Sequence, residues 1–215
     1  MKKAYIFVGP PGSGKGTQAE ILAEKKRLTL IQPGVFLRNE IDRGTALGLK
    51  IKPLVNRGVI VPGDVVDNII YKVVRGAKND CIFDGYPRHF RQSERLFNFL
   101  NEKKTKVYFI EIYLADDKIL ERINGRRSCS CGETYHVKYN PSKKKGICDK
   151  CGKRLFIRTD SKSSVVKRRI KVYYEQTAPV VQYFKQHNNK LIKFVFVNGD
   201  QSIETVTKEI MKGIK

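Results

Sequence analysis

The 215 residues predict an α/β fold, a five-stranded parallel sheet flanked by helices and interrupted by two insertions. Three observations carry this. Short apolar runs recur between helical stretches, at Ala4–Val8, Leu28–Ile31, Cys81–Phe83, Val107–Leu114 and Phe194–Val197. Strands that alternate with helices in this way build βαβ units around a sheet covered on both faces. A glycine-rich segment, Gly9-Pro10-Pro11-Gly12-Ser13-Gly14-Lys15-Gly16-Thr17, directly follows the first run. Two segments break the alternation: 33–62, helical in pattern but bracketed by Pro33 and Pro62, and 125–161, with four cysteines, Pro141 and several glycines. The core is then 1–32, 63–124 and 162–215.

The first element is a buried strand, and the turn after it has the composition of a phosphate-cradling P-loop. Gly12, Gly14 and Gly16 free the backbone to converge its N–H groups on one phosphate, and Lys15 supplies a charge. In the following helix Ala19, Leu22, Ala23 and Lys26 share a face, so its positive N-terminus points at the anion. The general pattern has Ser or Thr straight after the lysine; here Gly16 intervenes and the hydroxyl comes at Thr17. Ligands of such sheets bind beyond the carboxyl ends of the strands, which singles out Gly9, Gly34 and Asp84.

Apolar residues make up 40% of the chain, enough for a core, and no run approaches the roughly 18 apolar residues of a membrane span. The Met-Lys-Lys start reads as the lead into a strand rather than a signal peptide, since its apolar stretch ends at Gly-Pro-Pro. A cytoplasmic protein with no membrane partner is expected. The formal charge of +22 comes from scattered lysines without a charged tail. It implies non-specific attraction to polyanions, with no specific nucleic-acid motif beside it.

In the second insertion, Cys129-Ser-Cys131-Gly132 and Cys148-Asp-Lys-Cys151-Gly152 form two short cysteine pairs. Thiolates at this spacing suit a closed, structural tetrahedral zinc, and a metal would stabilise a segment too small for its own core. The first pair is one residue tighter than usual, which leaves His136 as an alternative to Cys129. A disulfide framework and a nucleic-acid-binding ribbon are the competing readings. Cys81 lies in a strand and reads as core.

Asp84-Gly85-Tyr86-Pro87-Arg88 follows the third strand, where enzymes with this loop hold Mg²⁺ through its water shell. Arg122, Arg126, Arg158 and Arg169 follow in an order that, with Arg38 in the first insertion, suggests guanidinium clamps for two polyphosphates. Two insertions around such a core suggest lids that exclude water.

These residues resemble the adenylate kinases in the long form whose lid holds zinc. The resemblance rests on Gly9–Thr17, Asp84-Gly-Tyr-Pro-Arg88 with Gln92, Arg122-Ile-Asn-Gly-Arg126-Arg127, Tyr135-His136 with Asn140-Pro141, Arg158-Thr-Asp160 and Tyr173-Tyr-Glu-Gln-Thr-Ala-Pro179, collinear over nearly the whole chain. It implies a P-loop kinase core, a helical insertion (33–62) that binds the monophosphate, a zinc-binding lid (125–161), and a commonly monomeric enzyme. The implied reaction is reversible, Mg²⁺-dependent transfer from ATP to AMP, giving two ADP. By the same resemblance Gly12, Ser13, Gly14, Lys15, Gly16 and Thr17 hold the ATP phosphates. Arg122, Arg126 and Arg158 close from the lid, and Thr134, Tyr135 and the backbone at Gln201 lie by the ATP base. On the AMP side stand Pro33, Arg38, Val59, Ile60, Val61, Gly85 and Tyr86. Arg88, Arg158 and Arg169 grip phosphate, and Gln92 bonds the AMP base. Lys15, Asp84, Arg88, Arg122, Arg158 and Arg169 form the implied catalytic set, Cys129, Cys131, Cys148 and Cys151 the zinc ligands. Gln32-Pro33-Gly34-Val35 departs from the family's Ser-Thr-Gly-Asp, and Ser161 replaces an aspartate. Those departures keep a kinase of altered or broader acceptor range as the alternative, and a degenerate nucleic-acid-binding relative as the remoter one.

Overall fold

The computed structural model describes residues 1–187 and 189–215. Strand β1 (Lys3–Val8) runs into the glycine-rich turn, then α1 (Lys15–Lys26) and β2 (Thr29–Ile31). Helices α2 (Pro33–Asp42), α3 (Ala46–Asn56) and α4 (Gly63–Gly76) precede β3 (Cys81–Asp84). Next come α5 (Phe90–Glu102), β4 (Lys106–Tyr113) and α6 (Asp116–Gly125), then two short strands, β5 (Arg126–Ser128) and β6 (Thr134–His136). Helix α7 (Ser163–Val172) passes through a widened turn into α8 (Ala178–Gln186), followed by β7 (Ile192–Asn198) and α9 (Ile203–Gly213).

The five longer-range strands form one parallel sheet in the order β2-β3-β1-β4-β7. The expected runs match these strands to within two residues. Alternate residues serve two cores, because successive side chains leave opposite faces of a strand. Ala4, Ile6, Phe83 and Phe109 pack with residues of α4, α5 and α8, while Tyr5, Phe7, Ile82 and Ile110 pack with α1 and α9. Parallel strands end on one edge, so Gly9, Gln32, Asp84 and Gly199 gather there. The chain leaves central β1 for one side of the sheet and later crosses to the other, which opens a crevice at the end of β1.

Helix α1 differs from expectation in its buried face. Ala19 and Leu22 are buried, but Lys26 is exposed and Gln18 lies inside in its place. An ammonium cannot leave water cheaply, whereas the Gln18 amide is satisfied by α9: it donates to the Ile203 carbonyl at 3.0 Å and accepts from Thr207 Oγ1 at 2.8 Å.

The segment expected to be helical forms α2 and α3 as far as Asn56, and residues 57–62 are a turn and non-helical chain leading into α4. Thr45 caps α3 by accepting from the Gly48 N–H at 3.0 Å, and Gly48 lies against the Glu40 carbonyl where no Cβ fits. The cysteine segment is a small antiparallel sheet, β5 with β6, extended by the bridges Ser128↔Phe156 and Ile147↔Arg154. Its apolar cluster is only Cys129, Tyr135 and Cys148 with Leu155 against them. Among the described residues no helix is long and apolar enough to cross a membrane.

Candidate active site

The turn between β1 and α1 bends through Gly12 and Gly14, at φ of 82° and 93°, the left-handed region that favours glycine. Gly16 lies in the first turn of α1 and needs no such dihedral. Its requirement is space: a Cβ there would stand 3.3 Å from Asp84 Oδ2. The glycine that breaks the general loop pattern thus makes room for the carboxylate at the end of β3. Lys15 Nζ rests on the Pro10 carbonyl at 3.0 Å. Burial pushes Lys15 down to about 8, with Arg88, Arg169 and Arg126 adding to the fall and Asp84 opposing it.

Two cavities meet at Lys15. The larger, about 470 Å³, lies between the glycine-rich turn, the cysteine segment and the loop after β7, and is lined by Gly12–Thr17, Asp84, Arg122, Arg126 and Gln201 among others. The smaller, about 150 Å³, is walled by Pro33, Leu37, Val59–Val61, Gly85 and Gln92. Lys15, Arg38, Arg88, Arg158 and Arg169 line both. The cysteine segment covers the larger cavity, and its Gly132 turn comes within 4.0 Å of Val35 Cγ1 for an added Cβ.

Cations at this junction outnumber their partners. Asp160 is knotted to Arg158, to Arg169 Nη1 at 2.9 Å and to Arg126 Nη2 at 3.7 Å. Burial alone would raise Asp160, but Arg169, Arg158 and Arg126 outweigh it and hold the carboxyl well below the usual range. Burial, aided by like charge, lowers Arg38 to about 9 and Arg169 to about 10, and depresses Arg126 strongly. The buried Nε atoms of Arg122 and Arg126 have no hydrogen-bond partner among the described residues. Unpaired buried donors around a cleft call for an anion with several charges.

The four cysteines converge. Their sulfurs all lie within 4.8 Å of one another, with Cys129–Cys151 at 3.3 Å and Cys131–Cys148 at 3.6 Å. A tetrahedral zinc with bonds of about 2.3 Å needs sulfurs about 3.8 Å apart, so the set fits such an ion. His136, the alternative to Cys129, turns away: Nδ1 accepts from the Lys138 N–H at 3.0 Å and Nε2 is buried against Gly125.

Most of the remaining expected residues line the cavities: Thr134, Tyr135 and Gln201 the larger, Pro33, Arg38, Val59, Ile60 and Val61 the smaller. The Tyr135 hydroxyl is directed into the cysteine cluster, 3.5 Å from Cys148 Sγ, and accepts from the Asp149 N–H at 2.8 Å. Gln201 Nε2 donates to the Asn198 carbonyl at 3.0 Å and to Glu209 Oε1 at 3.2 Å, so its amide N–H groups are taken. Tyr86 does not line the smaller cavity; it is buried behind it, donating to Asp67 Oδ1 at 2.9 Å. An aromatic ring next to the chain turn at Gly85 is taken up by the core.

Three residues near the site, Glu20, Asp67 and Tyr139, went unread in the sequence, and Gln32 stood out only as a departure from the family pattern. Gln32 Nε2 bridges Glu20 Oε1 and Asp84 Oδ2, both at 3.1 Å. Tyr139 lies under the Arg122 guanidinium, 5.4 Å from centroid to Cζ. Asp67 had a signal, an acid on the apolar face of α4 in line with Ile70 and Val74.

Residues 7–189 match the family model described as adenylate kinase. The chain belongs to the adenylate kinase family. Curated adenylate kinases are similar over almost the full length: that of Caldicellulosiruptor saccharolyticus is 41% identical over 97% of both chains. The protein of Chloroherpeton thalassium is 41% identical over 95% of this chain and 94% of its own. That of Methanocella arvoryzae is 36% identical over 98% of each. An adenylate kinase is a phosphotransferase converting ATP and AMP to two ADP, and this is the activity of the chain.

Proposed function

We propose that this adenylate kinase holds ATP in the larger cavity and AMP in the smaller one, and transfers the phosphoryl group across the shared floor at Lys15. The observation that carries this is the junction itself: Lys15, Arg38, Arg88, Arg158 and Arg169 border both cavities at the carboxyl ends of the strands. Phosphoryl transfer spreads charge over the equatorial oxygens while donor and acceptor oxygens lie in line. Cations fixed before the reaction stabilise that charge without reorganising. No general base is required, because the AMP phosphate is already an anion. Gly12–Thr17 bind the donor phosphates through N–H groups at the start of α1, and Arg122 and Arg126 close on them. Arg88, Arg38 and Arg169 hold the acceptor phosphate, and Gln92 the acceptor base.

Residues 33–62 serve as the acceptor insertion and 125–161 as the lid. The lid excludes water that would otherwise take the phosphoryl group. Magnesium bound with ATP would supply charge neutralisation to the phosphates. Asp84 is the residue to hold its water shell: Gln32 engages Oδ2, and Oδ1 makes no hydrogen bond among the described residues. The four thiolates would hold zinc as a structural crosslink. Cysteines gathered as a metal-ligand set rather than paired as disulfides support a cytoplasmic enzyme.

The test is ADP formation from ATP with AMP, GMP, CMP and UMP in turn, for the wild type and Lys15→Ala. AMP is expected to be the best acceptor by a wide margin. Loss of the Lys15 ammonium is expected to lower kcat at least about 100-fold, the scale seen when one preorganised donor is removed. An unchanged kcat in Lys15→Ala would refute the assignment of the junction.

A further inference from the structure

Behind the smaller cavity, outside its lining, a buried carboxylate controls which way the Gln92 amide faces. Gln92 Nε2 donates to Asp67 Oδ1 at 3.2 Å, and Gln92 Oε1 accepts from the Arg88 backbone N–H at 2.9 Å. An ionised carboxylate only accepts and a backbone N–H only donates, so the polarity of the amide is settled twice over by the protein. Asp67 is itself fixed: Oδ1 accepts from Tyr86 and Oδ2 pairs with Arg95 Nη1 at 2.6 Å. The amide retains one N–H and one lone pair for the cavity.

We propose that Asp67 is a specificity-determining positioning residue, which through Gln92 selects acceptor bases carrying an amino group beside a ring acceptor nitrogen. Adenine presents that pattern, with the N6 amino group next to N1. So does cytosine. Guanine and uracil present the reverse, a carbonyl next to a ring N–H, and would need the amide turned over. Turning it would set Oε1 against the Asp67 carboxylate and Nε2 against the Arg88 N–H, with both hydrogen bonds lost inside the protein. Base size then separates adenine from cytosine. The proposal rests on the reading that Gln92 contacts the acceptor base.

Asp67→Asn tests it without changing shape. Arg95 draws the asparagine oxygen toward itself, which presents the Asn NH₂ to Gln92; each orientation of the amide then keeps one hydrogen bond and opposes one pair of donors, so the fixed polarity is lost. The measurements are kcat/KM for AMP and GMP, KM for ATP, and the melting temperature of each variant. The AMP:GMP ratio is expected to fall about 10- to 100-fold in Asp67→Asn, the range for one charge-assisted hydrogen bond. The change should lie in the acceptor KM, with KM for ATP unmoved; a general loss of packing would not single out the acceptor. Gln92→Leu separates the two levels. If Gln92→Leu abolishes the preference and Asp67→Asn keeps it, the role of Asp67 is overturned while the base contact stands. A preference kept in Gln92→Leu overturns both. Should Asp67→Asn not fold, Asp67→Leu, which removes the acceptor and fills the space, is judged by the same ratio.

Discussion

Burial lifts the Glu20 carboxyl to about 7 from an ordinary 4.5, with the Gln32 amide opposing the rise and the Asp84 and Glu133 charges adding to it. The sign of its effect follows from linkage. Folded protein keeps this proton up to about pH 7, whereas unfolded chain releases it near 4.5, so unfolding sheds a proton between those values. Stability should therefore fall as pH rises from 4.5 to 7, by at most about 1.4 kcal/mol per pH unit from this group. Glu20→Gln should flatten that slope in urea titrations, and identical wild-type and variant slopes would contradict the burial argument. Asp160 acts in the other direction and in a lower range. Its carboxyl is held well below normal, so its contribution is lost only as pH falls below the ordinary aspartate value. Glu20 was illegible as a site residue because it is an acid on a helix with nothing local to announce the Gln32 amide that reaches it from another element. Asp67, on the apolar face of α4, signals its burial but not the Gln92 amide that it meets. Lys15 and Asp84 were legible because a glycine-rich turn and a strand end mark them within a few residues.

At the scale of elements, the strands were the easiest to read, since each is a short apolar run and the parallel sheet buries both faces. The face of α1 was displaced because Gln18 finds partners on α9, a tertiary contact that helical spacing does not contain. The cysteine segment, proposed above as a lid, shows a different dependence. Three of the residues in its small apolar cluster are Cys129, Cys148 and Tyr135, and the tyrosine hydroxyl itself meets Cys148. The proposed metal ligands and the core share Cys129 and Cys148, so loss of a bound ion would remove what packs the segment. Stripping zinc with a chelator under reducing conditions should expose the amides of Ser128, Cys129 and Phe156 to hydrogen exchange. Strands β1, β3 and β4 should stay protected. ADP formation should fall with the lid, because Arg122, Arg126 and Arg158 approach the junction from its two ends. Protection of the lid unchanged after complete metal removal would show that the segment folds on its own.

Across the whole molecule, a net charge of +22 works against the compact state, since like charges repel more strongly when the chain is folded. That repulsion is diffuse and screened within about 10 Å at 0.1 M salt. The cleft adds a second, local demand, because Lys15, Arg88, Arg126 and Arg169 crowd around just two acids among the described residues, Asp84 and Asp160. The two should respond differently to anions. Sodium chloride should raise the melting temperature gradually, as it screens every exposed lysine. Inorganic tripolyphosphate should raise it at far lower concentration and then saturate, because the folded cleft binds it more tightly than scattered lysines do and a site of that kind stabilises by up to RT ln(1 + [L]/Kd). At 100 times its Kd that is about 2.7 kcal/mol, enough to shift melting by several degrees in a chain of this size. Lys15→Ala combined with Arg88→Ala should abolish the saturable part and leave the salt response intact. If tripolyphosphate acted no more strongly on the wild type than on this double variant, the excess charge would belong to the surface rather than to the cleft.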